Sequence, residues 1–116
     1  MKFLVLMAEE DTWERWNALT DAEQRDVFDS FTAFTEAVKE RGTVLAGEAL
    51  GRAESARTVR PGPGRPVTEG PFAETVEQLG GFWLVDLPDL ETAVAAATLL
   101  PAAYSVEVRP IVDIGD

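Results

Sequence analysis

The sequence predicts an α+β domain in which a four-stranded antiparallel sheet carries two helices on one face and an extra hairpin beside it. Three observations lead there. Patterns alternate along the chain in the order βα, β, hairpin, βα, β. Two strand candidates, Lys2 to Ala8 and Phe82 to Leu87, are apolar on both alternating faces, as central strands are, whereas Thr43 to Leu50 and Ser105 to Ile111 are mixed, as edge strands are. The chain of 116 residues, 46% of them hydrophobic, suffices for one core and not for two, so residues 1–116 are read as a single domain.

Lys2 to Ala8 opens the chain as a central strand. Glu9 to Ala18 follows as a polar connection carrying Trp13 and Trp16, which are costly to leave in water and are expected to cover the core edge or a subunit contact. Thr20-Asp21-Ala22-Glu23 spells a capping box. After it Val27, Phe28, Phe31, Phe34 and Val38 recur at helical spacing, with Asp26, Asp29, Glu36 and Lys39 on the other face. This stripe is expected to be core packing, and the helix to stop at Arg41-Gly42.

Thr43 to Leu50 is a weaker strand because Gly47 and Glu48 interrupt it. Arg57 to Arg60 and Arg65 to Thr68 form two arms around Pro61-Gly62-Pro63-Gly64, a turn whose prolines lack the backbone donors a phosphate loop needs. Phe82 to Leu87 is the second central strand. Asp89 is the N-cap of the next helix, with Leu90, Ala93, Val94, Ala97 and Leu100 inward and Pro101 as its stop. Ser105 to Ile111 closes the chain as an edge strand, where Pro110 needs no donor. This is the ferredoxin-like arrangement, strand order 4-1-3-2. With helices on one face only, the apolar residues of the other face call for a partner, and a face-to-face homodimer supplies one.

Composition narrows the chemistry. Without cysteine or histidine the chain has no thiol nucleophile, no disulfide, no usual zinc site and no serine-histidine relay. The opening apolar run is too short for a signal peptide and no segment is long enough to span a membrane, so a cytoplasmic location is expected. A net charge of -11 disfavours nucleic acid and anionic membrane as partners. Arg52, Arg57, Arg60 and Arg65 form a basic island, with no acid between Arg57 and Arg65, that serves either as a solvated hairpin or as a holder of a small anion.

The words Gly70-Pro71-Phe72-Ala73-Glu74-Thr75, Glu77-Gln78-Leu79-Gly80-Gly81-Phe82 and Ser105-Val106-Glu107-Val108-Arg109-Pro110 resemble the DGPF group of YCII-related proteins over nearly the whole chain. The resemblance implies a dimeric ferredoxin-like (dimeric α/β-barrel) fold. It also implies a motif aspartate, paired with a histidine in the YCII branch, as a catalytic pair. Here Glu69 stands at the motif's first position, no histidine is present, and a lysine common in the family is replaced by Val76.

Glu69 is therefore the candidate acid/base, because a carboxylate in a half-apolar cleft can have its pKa raised towards neutrality. Arg57, Arg60, Arg65, Phe72, Glu74, Glu77 and Trp83 are the candidate ligand-binding residues around it, with Phe82 lining the same cavity. The alternative is that Glu69 pairs with one of those arginines and does no chemistry. Glu48, Glu69, Glu74 and Glu77 could serve a hard cation but lack the spacing of a metal loop, so neither metal nor cofactor is expected. Two functions stay open. One is a homodimer binding a small, anionic molecule near Glu69, with proton transfer of the isomerase or lyase kind by analogy. The other is a non-catalytic regulatory module linked, as the resemblance implies, to sigma-factor-type transcription regulation.

Overall fold

A computed structural model describes residues 1–73 and 75–115. Its strands are β1 (Lys2–Glu9), β2 (Thr43–Ala49), β3 (Arg57–Val59), β4 (Val67–Glu69), β5 (Gln78–Asp86) and β6 (Ser105–Pro110). The helices are α1 (Thr12–Ala18), α2 (Asp21–Arg41) and α3 (Leu90–Ala97), with a single 3-10 turn at Ala53–Ser55. The main sheet runs β2-β5-β1-β6 with every neighbouring pair antiparallel, which is the predicted order with the two doubly apolar strands at the centre. The fold is ferredoxin-like α+β. No helix among the described residues is long and apolar enough to cross a membrane.

Alternation along β1 buries Phe3, Val5, Met7 and Glu9 beneath the helices and turns Leu4, Leu6 and Ala8 to the other face. Val5 lies opposite Trp83 on one side and Val108 on the other. Phe34 and Val38 of α2 and Ala93 and Ala97 of α3 close over this row. On the face without helices, Leu4 pairs with Leu84 and Leu6 with Phe82, all half-buried. The molecule is a slab of 48 × 45 × 18 Å with a radius of gyration of 16.0 Å, against about 13 Å for a compact domain of roughly 100 residues.

Helix α2 starts as predicted: Thr20 Oγ1 accepts from Glu23 N–H at 3.2 Å and Glu23 Oε1 accepts from Thr20 N–H at 2.9 Å. Those bonds hold the Glu23 carboxyl below its ordinary range. Asp89 caps α3 through the Thr92 N–H at 2.8 Å.

Four expectations are corrected. The connection after β1 contains a helix, α1, which Arg15 N–H closes on Asp11 O at 2.8 Å so that Trp13 and Trp16 fall one turn apart on one side. Strand β5 begins at Gln78, so the Gly80-Gly81 pair lies inside it. The phenylalanine stripe of α2 is core only in its second half, for Phe34 and Val38 are buried while Phe31 is half-buried and Phe28 is 55% exposed. A 21-residue helix is about 30 Å long and overruns the side chains available beneath it. Lastly, α3 buries Ala93, Ala96 and Ala97, leaving Leu90 and Val94 exposed, because methyl side chains let this helix approach its neighbours closely.

Candidate functional site

The hairpin that carries the sequence's candidate residues is tied together by its own polar groups. Arg57 and Glu69 are directly opposite in the β3-β4 pair and their charges lie 4.0 Å apart, with the Glu69 side chain 86% exposed. Arg60 donates from Nε to Thr68 Oγ1 at 3.1 Å and from Nη1 to Phe72 O at 3.4 Å. Arg65 donates from Nε to Arg60 O at 3.2 Å. Thr58 Oγ1 donates to Gly70 O at 2.7 Å, closing the base of the hairpin. Phe72 is 79% exposed, Glu77 is exposed, and Glu74 lies outside the described residues. Among the described residues no group of three or more acids is gathered closely enough to hold a metal ion.

Trp83 lies elsewhere. It forms the floor of a cleft of about 400 Å³ beneath the N-terminal half of α2, where Phe82 also reaches the lining and neither Glu69 nor Phe72 does. Trp13 and Trp16 of α1, Phe28 and Phe31 of α2, and Tyr104 make its walls. The rings form a chain of contacts from surface to core. Trp16 meets Phe28 edge-on at 5.3 Å, Phe28 meets Phe31 at 6.3 Å, Phe31 meets Trp83 at 5.9 Å, and Trp83 meets the buried Phe34 at 5.2 Å.

The cleft exists because the sheet offers glycine at this end. A Cβ on Gly47 would stand 2.3 Å from Trp83 Cε3, so only glycine lets the indole lie flat on β2, and Gly80 leaves its neighbouring position without a side chain. Trp83 Nε1 is buried with no hydrogen-bond partner among the described residues.

A second cleft, of about 200 Å³, adjoins the first. Thr12, Trp13 and Gly80 line both. At its base Glu9 is 8% exposed, the one buried charged residue among those described. Burial pushes its carboxyl above the ordinary range, and the charge of Arg15 opposes the shift. The Tyr104 hydroxyl is raised in turn by burial and by the Glu9 charge. On the rim, Arg52 Nη1 donates to Glu14 Oε1 at 2.6 Å, holding that carboxyl below its ordinary range, and the guanidinium lies 6.0 Å from the centre of the Trp13 ring.

A third cleft of about 390 Å³ runs between α3 and β6 and is lined mainly by aliphatic side chains such as Leu90, Val94 and Val106. Glu69 lines none of the three. Sequence reasoning missed Glu9, although Phe3-Val5-Met7-Glu9 is a strict alternation that carries the carboxylate onto the core face.

Comparison with known proteins places residues 1–115 in a match to the family described as YCII-related domain. An uncharacterised protein of Rhizobium meliloti (strain 1021) is 44% identical over 62 residues, which are 49% of this chain and 50% of that protein. The match thus spans about half the length of that curated relative.

Proposed function

The chain belongs to the YCII-related family, and from that membership and its aromatic cleft we propose a homodimeric protein that binds a small molecule beneath α2. The observation that carries this reading is a cleft of about 400 Å³, within the range of small-molecule sites, whose walls are aromatic rings left partly open to solvent. A merely structural aromatic cluster would be filled, as the Phe34 end of the same chain of rings is. Glu69 stands outside this cleft, and its exposure and pairing with Arg57 favour a part in holding the hairpin over acid/base chemistry.

The homodimer is supported by the face without helices. Leu4, Leu6, Phe82 and Leu84 form an apolar band on a slab only 18 Å thick, and a second copy set against it would complete the core on that side. The projecting hairpin, with Val59 and Val67 exposed, would reach across to the partner. Light scattering at micromolar concentration should give twice the 12.6 kDa chain mass, and Leu84→Glu should return it to the monomer. A monomeric mass for the wild type refutes the dimer.

For the ligand site, a thermal-shift screen of small aromatic compounds is run against wild type, Trp16→Ala and Glu69→Gln, since a ligand that binds only the folded state raises its Tm. Hits that vanish with Trp16→Ala and survive Glu69→Gln support the cleft. The reverse pattern returns the site to the hairpin. A blank screen with a sound dimer favours the regulatory reading.

A further inference from the structure

We propose that the ligand is a cation: a protonated amine borne on an aromatic or branched apolar group, the group entering the aromatic cleft and the ammonium being received by Glu9. The inference rests on the cleft reading above and takes it to a ligand class.

Consider first the smaller cleft. Glu9, Asp11, Glu14 and Glu54 line it against one arginine, Arg52, whose charge is already engaged by Glu14 and by the face of Trp13. Surface acids in a cluster show little by themselves. Glu9 is different, because the residue is more than nine-tenths buried while its carboxylate oxygens keep their access to the cleft, with no hydrogen bond to them from another described side chain. The opposing charge that acts on it, Arg15, is half-exposed and lies 4.0 Å from Glu10. A carboxylate fixed in a cleft by a buried stem, with no protein partner of its own, is open to a ligand there, and an ammonium group supplies both donors and the opposite charge.

The aromatic cleft agrees. No cationic side chain among the described residues lines it, and the faces of indole and phenyl rings attract cations. An anion would meet Glu9 and the field of a chain of net charge -11, whereas a cation is drawn in by both. The arginine island, which suggested an anionic ligand, is occupied with the hairpin's own carbonyls, hydroxyl and Glu69. Where the two clefts meet, Thr12 and Trp13 would contact the bond joining the ring to the amine.

The test uses three probes of one shape: 3-phenylpropylamine, 3-phenylpropan-1-ol and 3-phenylpropionate. They are titrated into the full chain at pH 7, with tryptophan fluorescence and calorimetry as readouts. The amine is expected to bind at least about tenfold tighter than the alcohol, and the acid most weakly, from the strength of one charge-assisted bond. Glu9→Gln should bring the amine to the affinity of the alcohol while moving the alcohol by less than about threefold. Binding of the alcohol without preference for the amine overturns the cation and leaves the cleft standing. No binding of any probe overturns both. Equal weakening of amine and alcohol by Glu9→Gln assigns Glu9 a structural part and overturns its role as receiver. If that variant does not fold, the wild-type series alone decides the charge of the ligand.

Discussion

Replacing Gly47 with alanine tests the geometry that creates the cleft. The new Cβ would stand 2.3 Å from Trp83 Cε3 and 2.6 Å from Cζ3, where ordinary contact begins near 3.4 Å, so the indole must retreat by about an ångström. It has little room to do so, with Phe34 and Phe31 packed against it at centroid distances of 5.2 and 5.9 Å. Overpacking of this kind costs about 1–3 kcal/mol, and alanine recovers up to about 1 kcal/mol of it by restricting the unfolded backbone. The net expectation is a loss of about 1–2 kcal/mol. For a domain of this size that lowers Tm by roughly 4–8 °C. Urea unfolding followed by tryptophan fluorescence measures it, with near-UV circular dichroism reporting the displaced indole. The same substitution in a Trp83→Leu background should cost nearly nothing, since the clash is then absent. A Gly47→Ala variant as stable as wild type, with an unchanged near-UV spectrum, would mean that Trp83 does not lie on Gly47.

Phe34→Ala should destabilise the domain by about 3–5 kcal/mol, whereas Phe31→Ala, which truncates a ring already facing the cleft, should cost roughly half as much; equal losses in urea melts would contradict the division of the stripe. Glu9 has a folded-state pKa above its unfolded value, so the folded chain binds the proton more tightly and loses stability as pH rises through the folded pKa. Glu9→Gln should therefore gain on wild type between pH 4 and pH 7 in the absence of ligand, and a constant difference between the two melting curves over that range would refute it. Thr20→Ala, which removes the capping box of α2, should cost about 1 kcal/mol, and a change within about 0.2 kcal/mol by chemical denaturation would show that the cap carries no weight.

The sequence by itself determined the strands, their order and the cap of α2, because these depend on alternation and spacing along a few residues. Doubly apolar Lys2 to Ala8 and Phe82 to Leu87 had to be central, and the mixed strands had to be edges. The hairpin was legible for the same local reason, as was the face left without helices. The aromatic cleft was not. Arg57, Arg60, Arg65 and Glu69 stand together in the sequence and proved to be bonded to one another and to their own backbone, which no spacing rule separates from a binding cluster. The aromatic cleft depends on Gly47 meeting Trp83 and on α1 bringing Trp13 and Trp16 over Phe28 and Phe31, and the smaller cleft on Glu9 being carried to its lining. Those are encounters between distant segments, and whether a ring is buried, a glycine is covered or a carboxylate is set in a cleft is decided only when the layers have packed.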